Sequence, residues 1–121
     1  MKILVVEDNA EIRNTIVALL NHEGFKVSFA ENGAEALQRV LDGRPDVVVL
    51  DLMMPVMSGW EFMERLTTAL GVTAPPVVVL SAIPDPAVKN AAYVFEKPIN
   101  MRRLITKLLE FDHAPAPERS P

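Results

Sequence analysis

The chain has no cysteine, which excludes disulfide bonds, thiolate metal sites and thiol nucleophiles. This absence fits a reducing compartment. Long hydrophobic runs are also missing near the N-terminus, where the apolar stretch Ile3–Val6 ends directly in Glu7 and Asp8. Four apolar residues are too few for a signal peptide or a membrane span. We therefore expect a soluble cytoplasmic protein that makes no membrane contact.

Positive charge is scarce as well. The 12 Lys and Arg residues are outnumbered by 16 Asp and Glu residues, and no basic patch stands out, so direct binding to nucleic acid is not expected. Half of the 121 residues are hydrophobic, which is enough for one core. We predict one domain over residues 1–111. Residues 112–121 contain three prolines and no apolar periodicity, which predicts a disordered tail.

Three short stretches are apolar without interruption, namely Ile3–Val6, Val47–Leu50 and Val77–Leu80. Such runs are typical of strands that are buried on both faces of a sheet. Two weaker strands are predicted at Lys26–Ala30 and Tyr93–Phe95. Helical patterns lie between most of these strands, and the last one covers about residues 100–110. This alternation predicts a parallel sheet with helices on both faces.

The first predicted helix begins after Asn9, a residue that often caps helices. Its apolar residues recur at helical spacing, and we expect Ile12, Ile16, Leu19 and Leu20 to face the core.

Polar residues follow four of the five predicted strands, at the points where these strands end. They are Glu7 and Asp8, then Asp51, Ser81 and Lys97. The carboxyl ends of parallel strands share one edge of the sheet, where ligands bind in open α/β folds. Each residue alone is explained as a solvated cap, a turn residue or a surface charge. Four coincidences at one edge are harder to explain, so we expect a functional cluster.

The order of these features resembles the response-regulator receiver domain of two-component signalling. The features are the acidic pair, Asp51 followed by a loop with Pro and Gly, Ser81-Ala82, and Lys97-Pro98. The resemblance covers about residues 2–110. It implies an α/β fold of the flavodoxin-like (βα)5 type, a doubly wound parallel sheet with strand order 2-1-3-4-5.

By this resemblance, Asp51 is the phosphoacceptor, and a Mg²⁺ ion binds beside it. Adding a phosphoryl group to a site with several carboxylates accumulates negative charge, which a divalent cation with oxygen ligands relieves. The resemblance assigns direct ligation to Asp8 and Asp51, a third oxygen to the backbone carbonyl of Met53, and a water-mediated contact to Glu7.

The resemblance also assigns Lys97 and Ser81 to the phosphoryl oxygens, as a fixed cation and a hydroxyl donor. The implied phosphodonor is a histidine kinase or a histidine phosphotransfer protein, and the downstream protein is unknown. We expect a monomer or weak homodimer, and no enzyme beyond its own phosphorylation and dephosphorylation. Phosphoryl transfer needs chiefly positioning and charge stabilisation, which these side chains offer.

The span from Ser81 to Lys97 is shorter than is usual in this family and contains Pro84 and Pro86. At 3.6 residues per turn, at most about two turns fit there. We therefore predict that the fourth helix of the family is shortened or missing.

The aromatic residue that the family usually places three positions before the lysine is replaced by Val94. Strand alternation should point Tyr93 and Phe95 to the opposite side of the sheet. Val94 and Pro98 are thus candidate switch positions, and the family's usual Ser/Thr-to-aromatic relay lacks its aromatic residue here. Output is expected through another surface, or through ordering of residues 83–90.

Met53 and Ile83 lie two positions beyond Asp51 and Ser81. In the family these positions influence how water reaches the acyl phosphate. Two apolar side chains should hinder an attacking water, so we expect slow autodephosphorylation.

Three other functions compete with this interpretation. A phosphatase of the haloacid dehalogenase type needs an acid two residues beyond the nucleophile, where this chain has Met53. A flavin-binding protein needs a phosphate loop after the first strand, where Glu7 and Asp8 would repel phosphate. A docking module that ignores phosphorylation stays open. The sequence does not distinguish a free-standing receiver from a piece of a longer protein.

Overall fold

The structure is a computed structural model that describes residues 1–84 and 86–113. Strands and helices alternate along most of this part of the chain. In order they are β1 (Lys2–Val6), α1 (Ala10–His22), β2 (Lys26–Ala30), α2 (Gly33–Gly43), β3 (Val47–Asp51), α3 (Gly59–Leu70), a 3₁₀ helix (Gly71–Thr73), β4 (Val77–Ser81), β5 (Tyr93–Glu96) and α4 (Met101–His113).

The five strands form one parallel sheet in the order β2-β1-β3-β4-β5. This confirms the expected 2-1-3-4-5 order. The register brings the carboxyl ends of the inner strands together. Asp51 is paired with Leu80, and Ser81 is paired with Glu96. The residues that end these strands therefore reach one edge of the sheet.

The sheet is buried on both faces by two separate groups of apolar side chains. Alternation along β3 sends Val48 and Leu50 into one group and Val47 and Val49 into the other. This explains why the predicted strands read as continuous apolar runs. Packing on both faces therefore fixes the central strands, and with them the positions of the residues at the strand ends.

Two caps and one glycine fix the turns beside the site. Asn9 accepts a hydrogen bond from the Ile12 N–H at 3.0 Å, as predicted, and starts α1. Ser58 caps α3 in the same way. A Cβ atom on Gly59 would lie 2.7 Å from the Leu52 Cα, so only glycine allows α3 to begin this close to β3.

The segment between β4 and β5 contains no helix in its described residues, 82–84 and 86–92. The prediction of a shortened or missing fourth helix is thus confirmed. The segment lies against α3, where the Trp60 indole N–H donates to the Ala87 carbonyl at 3.0 Å. Val88 and Ala91 pack on the core beside Val94. The described part of this connection therefore packs on the core without forming a helix.

The prediction for the inner face of α1 is partly wrong. Ile16 and Leu20 are buried, but Ile12 and Leu19 are exposed, and Arg13 is buried in their place. The spacing 13, 16 and 20 is also helical, so periodicity alone did not reject a charged residue on this face.

The last helix begins at Met101 and continues to His113, beyond the expected end at residue 110. Asp112 therefore belongs to α4 rather than to the tail. Residues 114–121 lie outside the described part of the chain, so the disordered tail stays a prediction. Within the described ranges, no helix has the length and apolar character needed to cross a bilayer.

Candidate functional site

The sheet edge gathers three carboxylates, from Glu7, Asp8 and Asp51. One oxygen from each lies within 4.8 Å of the others. Since β1 and β3 are neighbours and Val6 is paired with Leu50, the next residues along the chain, Glu7 and Asp51, must lie side by side. Only 2% of Glu7 and 3% of Asp51 is exposed, whereas Asp8 is open to solvent. The site is therefore a buried acidic pair with a third acid at its mouth.

Lys97 brings a positive charge to these carboxylates. Its Nζ donates to Asp51 Oδ1 at 3.1 Å and lies 3.8 Å from Glu7 Oε1. The Lys97 N–H donates to the Ser81 carbonyl at 2.7 Å, which ties the end of β5 to the end of β4. The Lys97–Pro98 peptide bond is cis. The lysine that follows the fifth strand thus reaches the acid that ends the third strand.

The pKa of Glu7 is raised to about 7, first by burial and then by the neighbouring charge of Asp51. The Asn9 N–H, 3.3 Å from Glu7 Oε2, and the Lys97 ammonium oppose this rise. Glu7 Oε1 is buried and, among the described residues, accepts no hydrogen bond. A cation at this place would pair that oxygen. The donor set consists of carboxylate oxygens, which is the type that Mg²⁺ binds, so the residues fit this ion.

The Ser81 hydroxyl is fully buried and is engaged within its own turn. It donates to the Ile83 carbonyl at 2.9 Å and accepts from the Ile83 N–H at 2.9 Å. A hydroxyl has only one proton to donate. In this structure that proton is therefore directed at Ile83 rather than at Asp51.

Met53 and Ile83 lie on the solvent side of the site. The Met53 N–H points toward Asp51 Oδ1 at 3.4 Å, while 57% of Met53 is exposed. Ile83 is exposed as well. The two apolar positions named from the sequence thus border the site from the loops after β3 and β4.

The residues of β5 alternate as predicted. Val94 packs on one face of the sheet and Phe95 packs on the other. The Tyr93 ring lies 4.7 Å from the Phe95 ring, and Lys107 Nζ lies 4.3 Å from the Tyr93 centroid. These aromatic residues lie on the side of the sheet that α4 covers. The switch position on the opposite side is Val94, an aliphatic residue.

Arg13 contacts the acidic pair and was not singled out from the sequence. Its Nη1 donates to the Glu7 carbonyl at 3.1 Å, and the residue is only 7% exposed. The signal that could have identified it is a basic residue at inward spacing with Ile16 and Leu20. The expected inner face of α1 included only apolar residues, so Arg13 was left out.

A model of a known protein family matches most of this chain. The family is described as the response regulator receiver domain, and the match covers residues 3–109. A protein-glutamate methylesterase/protein-glutamine glutaminase of Bacillus licheniformis is 42% identical over 85 residues, which is 69% of this chain and 23% of that protein. Response regulator RR06 of Streptococcus pneumoniae is 38% identical over 93 residues, 77% of this chain and 42% of that protein. The chain spans less than half the length of these two relatives.

Solved structures agree in fold over nearly the whole chain. The response regulator protein TrrA from Thermotoga maritima, in complex with Mg²⁺-BeF, is 31% identical with a TM-score of 0.81, covering 91% of this chain and 97% of that one. The receiver domain of the Francisella response regulator 1452 is 28% identical with a TM-score of 0.83, covering 91% and 94%.

Proposed function

The chain belongs to the response regulator receiver domain family, and on this basis we propose that it accepts a phosphoryl group on Asp51. The observation that carries the proposal is the Lys97–Asp51 contact within the cluster of three carboxylates. A nucleophilic carboxylate needs a fixed cation nearby, because the group that it attacks is an anion.

In the proposed reaction a carboxylate oxygen of Asp51 attacks the phosphorus of a phosphohistidine. The P–N bond breaks and a P–O bond forms. The histidine ring, protonated on its other nitrogen, leaves as neutral imidazole with the electron pair of the broken bond on the nitrogen that held phosphorus. Lys97 is already within hydrogen-bond distance of Asp51 Oδ1, so its ammonium can also donate a hydrogen bond to an oxygen of a phosphoryl group bound there. The protein supplies position and charge rather than further covalent chemistry.

Asp8 and Asp51 would ligate Mg²⁺ directly, the Met53 carbonyl would add a third oxygen, and Glu7 would act through water. The bound ion would neutralise charge shared by the carboxylates and the incoming phosphoryl group. Glu7 Oε1 supports a cation here, because it is buried and accepts no hydrogen bond from the described residues, with Lys97 Nζ 3.8 Å away.

Ser81 would donate its hydroxyl proton to a phosphoryl oxygen. It can do so only by giving up its bond to the Ile83 carbonyl, since it has one proton. Phosphorylation would thus release the start of the segment that lies against α3. We propose this segment, residues 83–90, as the route by which the signal leaves, with Val94 and Pro98 as modulating positions.

The proposed setting is the cytoplasm, with a histidine kinase or histidine phosphotransfer protein as phosphodonor and an unknown downstream protein as target. The chain would act as a monomer or weak homodimer, without direct contact to nucleic acid or membrane.

Intact-mass spectrometry after incubation with phosphoramidate and Mg²⁺ tests the proposal. We expect the wild type to gain one phosphoryl group, and we expect no gain with EDTA or in Asp51→Asn. Asp42→Asn, which removes an exposed carboxyl from α2, is the matched control and should still be modified. An unmodified wild type would overturn the proposal and favour a docking module that ignores phosphorylation.

A further inference from the structure

We propose that Arg13 is a positioning residue for the acidic pair that ends β1. Its guanidinium orients the peptide plane between Glu7 and Asp8, and through that plane the two carboxylates beside Asp51. The inference rests on the proposed function, because it concerns how well these acids bind Mg²⁺.

The bond from Arg13 Nη1 to the Glu7 carbonyl is buried and 3.1 Å long. That carbonyl and the Asp8 N–H belong to one planar peptide unit. Holding the oxygen therefore fixes the plane, and the plane sets the direction in which the Asp8 side chain leaves the backbone. One hydrogen bond thus acts on both acids at once.

The peptide plane on the other side of Glu7 is also held, because the Glu7 N–H donates to the Ala30 carbonyl at 3.1 Å. With both planes fixed, the backbone of Glu7 has little freedom. Asn9, two residues beyond Glu7, donates its N–H to Glu7 Oε2 and caps α1. Of these anchors, Arg13 supplies the only one made by a side chain to the Glu7–Asp8 plane in the described part of the chain.

Arg13 is itself held in place. Its guanidinium carbon lies 4.9 Å from the Phe29 ring centroid, and Nη2 lies 3.7 Å from Glu31 Oε1. Since 61% of the Glu31 side chain is exposed, this ion pair contributes little. The stacking on Phe29 limits the rotation of the guanidinium, which keeps Nη1 aimed at the Glu7 carbonyl.

The burial of Arg13 is not explained by packing alone. Its Nε is buried and makes no hydrogen bond to any described residue, which is unfavourable for a polar group. An apolar side chain at this place on α1 would join Ile16 and Leu20 without that penalty. The feature that an apolar residue could not reproduce is the bond to the Glu7 carbonyl.

Positioning and simple charge effects predict opposite results for Arg13→Met. Removing a positive charge near a cation site should strengthen Mg²⁺ binding, because repulsion is lost. Removing an anchor of the ligands should weaken it, and losses of outer-shell partners typically weaken metal affinity about 10- to 100-fold. The sign of the change therefore distinguishes the two explanations.

The experiment is a calorimetric Mg²⁺ titration of the full chain, comparing wild type, Arg13→Met and Arg13→Lys. We expect the Met variant to bind at least about tenfold more weakly than wild type, with the Lys variant intermediate because it offers a flexible point donor in place of a planar fork. Leu108→Ala, a cavity variant in the apolar group that also contains Ile16 and Leu20 of α1, controls for lost stability and should bind as wild type does.

A metal-free measurement accompanies the titration, namely amide hydrogen exchange in EDTA. In both Arg13 variants the amides of residues 7–9 should exchange faster, while Val78 in β4 keeps its wild-type rate. If the wild type binds Mg²⁺ and the Arg13 variants bind as tightly or more tightly, this inference fails alone. If the wild type binds no Mg²⁺, the proposed metal site fails and the inference fails with it.

Discussion

Lys97 donates to Asp51 at 3.1 Å across the width of β4, which lies between β3, where Asp51 is the last residue, and β5, which Lys97 follows. The contact is long-range in sequence, 46 residues apart, and it depends on the parallel register of three strands. Any change that alters the end of β5 therefore reaches the acid at the end of β3.

Lys97→Met tests the role of this contact in phosphoryl transfer. Removing one fixed donor from developing negative charge typically slows a reaction about 10²- to 10³-fold, and we expect a slowing of about 10²-fold here. The rate is measured by intact mass against time with phosphoramidate and saturating Mg²⁺. Lys107→Met removes a lysine of α4 that contacts Tyr93, and should leave the rate unchanged. A wild-type rate in Lys97→Met would contradict the assignment.

Glu7 should make the metal-free protein less stable as the pH rises. The pKa of Glu7 is about 7 in the folded protein and about 4.5 in the unfolded chain, so the folded state retains a proton that the unfolded state has released. Its contribution is therefore full below about pH 4.5 and is lost as the pH rises to 7. The loss is on the order of 3 kcal/mol in the free energy of unfolding.

Urea unfolding in EDTA at pH 5 and pH 7.5 measures this dependence. In Glu7→Gln, which cannot ionise, the loss of stability between these two pH values should be smaller than in wild type by the contribution of Glu7. Glu64→Gln, at an exposed position of α3, should retain the wild-type dependence. An unchanged pH dependence in Glu7→Gln would show that this carboxyl is already ionised in the folded state.

Met53→Asn should shorten the lifetime of the phosphorylated protein several-fold. Met53 is exposed at the mouth of the site, and an amide there could orient an attacking water that a thioether does not bind. The lifetime is followed by intact mass after the phosphodonor is removed. Val72→Asn introduces the same side chain at an exposed position on the 3₁₀ helix and serves as the control. Equal lifetimes in Met53→Asn and wild type would show that Met53 does not limit the attack of water on the acyl phosphate.

Phosphorylation should change the segment that replaces the fourth helix. Reorientation of the Ser81 O–H away from the Ile83 carbonyl alters the start of this segment, and the Trp60 indole N–H contacts its middle at the Ala87 carbonyl. We expect altered amide exchange in residues 83–90 with the Mg²⁺–beryllofluoride complex, and none in Asp51→Asn. Trp60→Phe should speed exchange around Val88 without affecting phosphorylation. Identical exchange with and without the phosphate mimic would exclude this route.

Much of the fold could be predicted because its signals are local. Continuous apolar runs marked the buried strands, Asn9 marked a helix start, and the prolines after Ser81 marked a missing helix. The end of α4 was missed by three residues, since Phe111 packs on the core and extends the helix beyond its regular pattern. Helix ends depend on such tertiary contacts, which the sequence does not display.

The residues of the candidate site could be predicted from the sequence, but their hydrogen-bond partners could not. Strand ends identified Asp51, Lys97 and the acidic pair, because parallel topology brings such ends together. The engagement of the Ser81 hydroxyl with Ile83 depends on the course of a non-helical segment that has no sequence pattern. Arg13 was missed because its partner is a backbone carbonyl, which every residue carries and no pattern marks.

The most direct test of the account is to locate the phosphoryl group by chemistry specific to acyl phosphates. Protein treated with phosphoramidate and Mg²⁺ is reduced with borohydride, which converts an aspartyl phosphate to homoserine, and its peptides are sequenced by mass spectrometry. We predict homoserine at position 51 alone, dependent on Mg²⁺ and diminished in Lys97→Met. Homoserine at position 8, or at no position, would contradict the assignment of Asp51 as the phosphoacceptor.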